Sequence, residues 1–136
     1  MRPKTPYLSV DGIIKLLDEN GVLIGIVFIE RLNKPFGIAL PGGFVDIGEK
    51  VENALIREMK EETNLDVKIQ RLLGVYSDPN RDLRFHTVSC IFVCNAFSLP
   101  KAGDDAKEAF VVKLEEIPWD KLVFDHATIL KDFLLN

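Results

Sequence analysis

The sequence predicts a mixed α/β (α+β) domain in which a β-sheet lies between α-helices. Two observations lead to this prediction. Most apolar residues fall in short strand-like runs, and only two segments show the 3.6-residue period of an amphipathic helix. Because two helices can cover the two faces of one mixed sheet, a layered sandwich is the expected arrangement.

The first half of the chain contains a predicted hairpin, a short strand and a helix. The runs GIIKLL and VLIGIVFI flank DENG, where Asn20 and Gly21 are residue types that tolerate positive φ in a hairpin turn. The run FGIALPGGF predicts a short strand that Pro-Gly-Gly at 41–43 interrupts. A helix is predicted from about Lys50 to Thr63. Its apolar side consists of Leu55, Ile56 and Met59.

The second half contains two longer strands, a short strand and a C-terminal helix. DVKIQRLLGVYS predicts a strand that bends near Gly74, and RFHTVSCIFVCNAF predicts a long strand, with the turn-rich SDPNRD between them. A polar loop, LPKAGDDAKEA, leads into the short strand FVVKL, and EEIPWDKLV is a connector. The helix DHATILKDFLLN follows, with Asp125 as its expected N-cap. Its apolar stripe is formed by Ile129, Leu130, Phe133 and Leu134.

Composition limits the class of protein. The chain has 136 residues and shows no internal repeat or linker, so residues 1–136 are predicted to form a single domain. The net charge is −4, with 21 acidic and 17 basic residues and no Lys/Arg cluster, which argues against binding to a nucleic-acid polymer. The apolar runs are too short to span a bilayer, and the N-terminus lacks the apolar core of a signal peptide. We therefore expect no membrane contact and a cytoplasmic location.

The two cysteines are expected to be free. Cys90 and Cys94 lie in one predicted strand, where four residues separate them by roughly 13 Å. Because this distance is too long for a disulfide, two reduced thiols are predicted, as in a reducing compartment.

The angular positions of the acidic residues on the first predicted helix decide which of them share one face. Each residue advances about 100°, so Glu58, Glu61 and Glu62 fall within an arc of about 100°, whereas Glu52 lies about 120° from Glu58. Like charges at this spacing disfavour a helix by only about 0.2–0.5 kcal/mol per pair, so a solvated acidic face is the simplest interpretation. A divalent cation is another, because Mg²⁺ binds through a few carboxylates together with water and substrate phosphates. The Pro-Gly-Gly bend before the helix favours the metal, since its backbone can approach closely.

The residues around this helix resemble the signature of the Nudix hydrolases, G-x5-E-x7-R-E-U-x-E-E-x-G-U, in which U is a bulky aliphatic residue. Gly43, Glu49 and the run REMKEETNL at 57–65 match this spacing. One position departs, because Asn64 stands where the family has glycine. Asn tolerates the left-handed conformation best after Gly, so we expect a small loss of stability and intact chemistry. The resemblance implies the Nudix fold, a mixed sheet sandwiched between helices, and hydrolysis of a nucleoside diphosphate linked to another moiety.

The resemblance also implies a role for each matching residue. The Gly42 carbonyl and three carboxylates would hold Mg²⁺ or Mn²⁺, and Arg57 with Glu49 would set their geometry. The three carboxylates are Glu58, Glu61 and Glu62.

The general base has two candidates by the same resemblance. One is Glu58 in the signature, and the other is an acid on a distant loop. Glu108 in AGDDAKEAFVV is the loop candidate, as a metal ligand or as the base, and Asp104 and Asp105 are close competitors. On the sequence alone, Glu108 reads as a solvated loop charge.

The stretch LLGVYSDPNRDLRFHTVSCIFV concerns the substrate. It resembles YSDPxRDPRxHTVSxVF of the prokaryotic ADP-ribose pyrophosphatases, with Pro79 in place, but Leu83 replaces that group's second proline. Arg81, Arg84 and His86 could contact phosphate or ribose oxygens, and Phe85, which replaces a common glycine, could stack on a base. The alternative for all four is a charged surface turn.

The predicted function is hydrolysis of ADP-ribose to AMP and ribose 5-phosphate with Mg²⁺. Other Nudix substrates stay open, namely an oxidised nucleoside triphosphate, a dinucleoside polyphosphate or NADH. A non-catalytic Nudix module that senses a nucleotide is a further alternative, against which the intact carboxylates argue. The expected partners are a small-molecule nucleotide and, by resemblance, a second copy of the chain in a homodimer.

Overall fold

The computed structural model describes residues 1–103 and 106–136. Within these ranges the chain forms seven strands, two α-helices and two 3₁₀ turns. The strands are β1 (Tyr7–Leu17), β2 (Leu23–Arg31), β3 (Ile38–Ala39), β4 (Gly42–Phe44), β5 (Lys68–Tyr76), β6 (Thr87–Ala96) and β7 (Ala106–Val112). The helices are α1 (Val51–Thr63) and α2 (His126–Leu135), and the 3₁₀ turns cover Leu114–Glu116 and Trp119–Lys121.

All seven strands belong to one mixed sheet. Its main path runs β3-β2-β1-β6-β5, while β4 pairs with β1 and β7 pairs with β2. The central pair, β1 and β6, is parallel, and the other pairs are antiparallel. The predicted mixed sheet is therefore confirmed.

The sheet lies between the two helices. Neighbouring side chains of a strand point to opposite faces, and β1 shows the consequence. Ile14 belongs to the core cluster that contains Leu55 of α1, and Ile13 belongs to the cluster that contains Ile129 of α2. Burying a side chain of this size contributes about 1.5–3 kcal/mol, so both faces need a covering helix. The predicted sandwich is confirmed.

The predicted hairpin is confirmed as β1 and β2, but β1 begins earlier than the apolar run GIIKLL. Its first residues, from Tyr7 onward, pair in parallel with β6 from Thr87 onward. The turn is closed by the Asp18 carboxylate, which accepts hydrogen bonds from the backbone N–H groups of Asn20 and Val22 at 2.8 and 2.9 Å.

Helix α1 agrees with the prediction except at one apolar residue. Leu55 and Met59 are fully buried, whereas Ile56 remains 43% exposed, so its assignment to the buried side is wrong. Ala54 is also fully buried and packs in the core. The buried side of α1 is therefore turned away from Ile56 and also includes Glu62 and Thr63.

The helix ends at Asn64 in the left-handed conformation, with φ 59° and ψ 20°. This is the conformation expected at the position where the family signature has glycine. The Asn64 side chain also donates hydrogen bonds to the carbonyl oxygens of Lys101 and Ala102, at 2.8 and 3.3 Å. Glycine could not make these two bonds, so Asn64 connects the end of α1 to the segment before β7.

The elements after β5 differ from the prediction mainly at their ends. The long strand β6 starts at Thr87, and β7 starts at Ala106, four residues before the predicted run FVVKL. Helix α2 begins as expected after Asp125, but the Asp125 side chain makes no capping hydrogen bond.

Two simpler expectations concern cysteines and membranes. Cys90 and Cys94 are free, as predicted, and burial raises the pKa of the Cys94 thiol to about 12. Among the helices in the described ranges, none is long and apolar enough to cross a membrane.

We predict that Asn64 stabilises the fold through both its backbone conformation and its side chain. Asn64→Ala should lower the free energy of unfolding by about 1–2 kcal/mol, because alanine disfavours positive φ and lacks the amide. Asn64→Gly should lose about 1 kcal/mol or less, since glycine accepts this φ. Urea unfolding measures both values, and an equal loss in the two variants would contradict the role of the left-handed conformation.

Candidate functional site

Two glycines allow β4 to approach the acidic helix. A Cβ atom on Gly43 would lie 2.2 Å from the carboxyl carbon of Glu58, and one on Gly42 would lie 2.0 Å from Oδ1 of Asp11. Such distances are far inside van der Waals contact, so a side chain at position 43 would push the Glu58 carboxylate aside, and one at position 42 would also collide with the Val10 backbone carbonyl. The Pro-Gly-Gly bend thus brings backbone directly against carboxylates, as the sequence predicts.

Arg57 lies at the centre of the acidic residues. Its Nε and Nη2 donate to the two carboxylate oxygens of Glu49 at 2.8 and 2.9 Å. Its Nη1 donates to Glu58 at 2.8 Å and to Glu61 at 3.2 Å, and Nη2 also donates to the Phe44 carbonyl at 3.0 Å. These bonds lower the pKa of the Glu49 carboxyl to about 2 and raise the pKa of the Arg57 guanidinium. Both groups are therefore charged at neutral pH.

The three acids of the helix face differ in exposure. Glu62 is buried, and its Oε1 accepts the Gly42 N–H at 2.6 Å. The Glu58 side chain is 13% exposed, whereas that of Glu61 is 44% exposed. Glu58 and Glu62 are thus held against the glycine bend, and Glu61 lies toward solvent.

The donor chemistry of this face fits a hard divalent cation. Carboxylate oxygens are ligands that Mg²⁺ and Mn²⁺ accept, and the glycines leave the β4 backbone close to them. Within residues 1–103 and 106–136, no group of three His, Cys, Asp or Glu is already at metal-holding spacing. Water and substrate oxygens would have to complete the shell, as Mg²⁺ usually requires. The metal roles of Gly42, Glu58, Glu61 and Glu62 stay predictions.

A cavity of about 390 Å³ lies beside these carboxylates. Glu58 and Glu62 line it, together with the guanidinium side chains of Arg31, Arg81 and Arg84. A space lined by both signs of charge can receive an anionic ligand together with a cation.

Arg81 lines the cavity, but its donors are directed to the protein. Nε and Nη2 form a bidentate pair with Asp125 at 2.9 and 2.8 Å, and Nη1 donates to Thr87 Oγ1 at 2.8 Å. Its side chain is 4% exposed. Arg81 therefore attaches its loop to the start of α2, which explains why Asp125 does not cap the helix. A substrate contact by Arg81 stays a prediction.

Arg84 also lines the cavity and is less enclosed. Its Nε and Nη2 donate to Asp82 at 3.0 and 2.8 Å, and its side chain is 37% exposed. Burial alone would raise the pKa of Asp82, but the hydrogen bonds from Arg84 lower it below its ordinary value.

Phe85 and His86 lie outside the cavity lining. The Phe85 ring packs against Tyr7 at 4.8 Å and Phe44 at 6.0 Å between centroids, and Phe44 does line the cavity. The His86 Nε2 lies 2.9 Å from the Ser77 carbonyl. Phe85 is therefore near the cavity through Phe44 and through Arg84, whose Cζ lies 5.0 Å from the Phe85 ring centroid, whereas His86 is bonded to its own loop.

Glu108 is not on a loop, so this part of the prediction is wrong. It lies on β7, opposite Glu30 of β2, because pairing with β2 extends the strand back to Ala106. Its side chain is exposed and lies outside the cavity lining. The competing candidates, Asp104 and Asp105, lie outside the described residues.

The sequence prediction missed a cluster of polar side chains, Asp11, Ser89 and His126, of which Asp11 and His126 line the cavity. Burial raises the pKa of Asp11 to about 6, and this carboxylate accepts a hydrogen bond from the Ser89 hydroxyl. Burial lowers the pKa of His126 to about 3, so it is neutral; its Nδ1 accepts the Leu40 N–H at 3.0 Å. The Nε2 of His126 lies 3.9 Å from Asp11 Oδ1. The sequence feature that could have indicated these residues is Asp11, an acidic residue within a mostly apolar strand.

Comparisons with known proteins identify relatives over nearly the whole chain. The NUDIX domain family matches residues 6–133. An ADP-ribose pyrophosphatase of Methanocaldococcus jannaschii is 49% identical over 132 residues, which covers 95% of this chain and 73% of that protein.

Solved structures agree with this match. A bifunctional NMN adenylyltransferase/ADP ribose pyrophosphatase from Francisella tularensis, complexed with AMP and Mn ion, has a TM-score of 0.83 at 28% identity. That alignment covers 99% of this chain but only 43% of the bifunctional protein. The NUDIX domain of Shewanella oneidensis NrtR, complexed with ADP ribose, has a TM-score of 0.82 at 21% identity, with 97% of this chain and 88% of that one covered. At 21% identity, the similarity to the NrtR domain is evidence for the fold alone.

We predict that the glycine approach is needed for activity. Gly43→Ala should lower turnover by about tenfold or more, because its Cβ would displace the Glu58 carboxylate. Gly74→Ala is the matched control, since its Cβ would meet only an ordinary contact at 3.6 Å. Steady-state assays on folded variants test this, and equal turnover in the two would contradict it.

Proposed function

The chain belongs to the Nudix family, and we propose that it is a pyrophosphatase that hydrolyses ADP-ribose to AMP and ribose 5-phosphate with Mg²⁺ or Mn²⁺. The observation that carries this proposal is one cavity that combines the signature carboxylates Glu58 and Glu62 with Arg31 and Arg84. The 49% identity to a protein named ADP-ribose pyrophosphatase supports this choice of substrate.

The chemistry of a diphosphate explains why both signs of charge are needed. Its anionic oxygens repel a nucleophile, and a bound divalent ion would offset that charge and make a bound water easier to deprotonate. Glu58, Glu62 and the Gly42 carbonyl would hold the ion from inside the cavity, and Glu61 would add a ligand from its solvent side. Arg57 donates hydrogen bonds to both Glu49 and Glu58, and the bond to Glu49 fixes the guanidinium that keeps Glu58 in place.

Glu58 is the general base that the geometry favours. It lines the cavity, whereas Glu108 is exposed on β7 and lies outside the lining. A base must come within hydrogen-bond distance of the attacking water, and this condition favours the residue beside the substrate.

We propose substrate roles for the loop after β5 as well. Arg84 would contact the phosphates, and Arg81 would act mainly by holding its loop against Asp125. Phe85 would stack on the base with Phe44, and His86 would stabilise the loop through Ser77.

The remaining proposals concern assembly and location. We propose that residues 1–136 act as one Nudix domain, in the cytoplasm, as a homodimer. The family match over residues 6–133 supports the single domain. The two free cysteines support the cytoplasmic location. The homodimer rests on similarity, and light scattering after gel filtration measures it directly.

We predict a clear order of substrates. The purified chain with Mg²⁺ should release AMP from ADP-ribose faster than it cleaves NADH, a dinucleoside tetraphosphate or 8-oxo-dGTP. Chromatography of the products measures each rate. Preference for a triphosphate would overturn the ADP-ribose proposal, and turnover of none of these compounds would favour a nucleotide sensor.

We predict that the carboxylates in the cavity are essential and that their neighbour on the helix is not. Glu58→Gln and Glu62→Gln should each lower kcat by about two decades or more, because each loses a charged oxygen ligand. Glu52→Gln is the matched control, since Glu52 is exposed on the first turn of the same helix. Near-normal turnover in both cavity variants, with circular dichroism unchanged, would refute the assignment of the metal face.

A further inference from the structure

Phe124 has a backbone conformation that bulky residues rarely adopt. Its φ is 56°, in the left-handed region, where a phenylalanine is strained. Such conformations persist only where the surrounding structure fixes them, and they are common at ligand sites. Phe124 lines the cavity, so its strain lies at the candidate site.

The segment around Phe124 is fixed on both sides. Before it, the Val123 N–H donates to the Ile38 carbonyl at 3.0 Å. After it, His126 accepts the Leu40 N–H. These bonds anchor the segment to β3 and to the residue that precedes the glycine bend, so the chain keeps Phe124 in place in spite of its φ.

The Phe124 ring contacts two guanidinium groups. The Cζ of Arg31 lies 5.0 Å from the ring centroid, and that of Arg84 lies 5.5 Å from it. Arg31 ends β2 and Arg84 comes from the loop before β6, so the ring joins cations from two separate parts of the chain. Cation–π contacts of this kind are attractive within about 6 Å.

The two cations would otherwise repel each other. Burial lowers the pKa of Arg31, and the nearby charge of Arg84 lowers it further. Contact with one aromatic ring offsets part of that repulsion because the ring faces carry negative charge. A diphosphate bound in the cavity would offset the remaining repulsion between Arg31 and Arg84.

Among the described residues, Arg31 and Arg84 each bond through Nε and Nη2, which leaves the Nη1 donors available. Arg31 donates Nε to the Pro35 carbonyl and Nη2 to that of Lys34, and Arg84 donates Nε and Nη2 to Asp82. Arg81, by contrast, uses all three of its guanidinium nitrogens in bonds to protein side chains. Arg31 and Arg84 are therefore better suited than Arg81 to bind an anion.

We propose that Phe124 is a positioning residue that holds Arg31 and Arg84 as a paired binding site for the diphosphate of the substrate. The proposal rests on the proposed function and names how that site recognises its substrate. Phe124 acts through the two arginines, so it should affect ligand affinity far more than the chemical step.

The test is a binding measurement with a diphosphate that cannot be cleaved. Titration calorimetry with α,β-methylene-ADP and Mg²⁺ should show that Phe124→Leu weakens binding by about tenfold, since two cation–π contacts are lost. Phe124→Tyr retains the ring and should bind within about twofold of the unchanged chain. Phe97→Leu is the control, because Phe97 is 66% exposed and lies outside the cavity lining.

Phe124→Gly separates the ring from the strained backbone. Glycine accepts positive φ, so this variant should fold at least as well as Phe124→Leu and still lose affinity. It also keeps the test valid if Phe124→Leu fails to fold. Affinity equal to that of the unchanged chain in Phe124→Gly, equal losses in the tyrosine and leucine variants, or no binding of the probe by the unchanged chain would each overturn the proposal.

Kinetics with ADP-ribose give a second readout. The KM should rise by about tenfold in Phe124→Leu while kcat stays within about twofold, and a fall in kcat alone would contradict a positioning role. If the unchanged chain binds α,β-methylene-ADP but does not hydrolyse ADP-ribose, the proposed function fails, and the calorimetric comparison still decides the role of Phe124.

Discussion

The geometry of the candidate site depends on the Arg57 guanidinium. Glu58 and Glu61 lie on one helix face, Glu49 approaches from the preceding loop, and without a cation between them these carboxylates would repel one another. Arg57 bonds to all three and also to the Phe44 carbonyl, so it joins the helix to the glycine bend. An isolated surface ion pair contributes little, but this side chain is only 29% exposed and is bidentate to Glu49. The acids are therefore already ordered before any ligand binds.

The parts of the structure that follow local rules were predictable from the sequence. The advance of about 100° per residue separates Glu58 from Glu52, and the structure places Glu58 in the cavity lining and Glu52 in solvent. The left-handed Asn64 follows from the residue types that accept positive φ. The sandwich follows from strand runs and two amphipathic helices. Each of these depends on neighbours within a few residues.

The features that the sequence left open depend on contacts between distant segments. Strand β1 extends back to Tyr7 because it pairs with β6, some 80 residues later in the chain, and no local pattern encodes that register. Asp125 has the sequence position of a helix cap, but buried Arg81 takes its carboxylate. Glu108 lies on a strand because β2 is available to pair with it. In each case a contact with a distant segment outweighed the structure that the local sequence favours.

The charges that line the cavity imply that its ligands help one another to bind. A diphosphate alone would meet the carboxylates of Glu58 and Glu62, whereas a divalent cation alone would meet the guanidinium groups of Arg31 and Arg84. When both are present, each offsets the repulsion that the other experiences, so each must raise the affinity for the other by the same factor. A neutral sugar or a lone cation gains nothing from this coupling. Under the proposed function, the cavity would therefore bind a cation and a diphosphate together, and the ordering of Glu58 by Arg57 and of the two arginines by Phe124 would serve that single purpose.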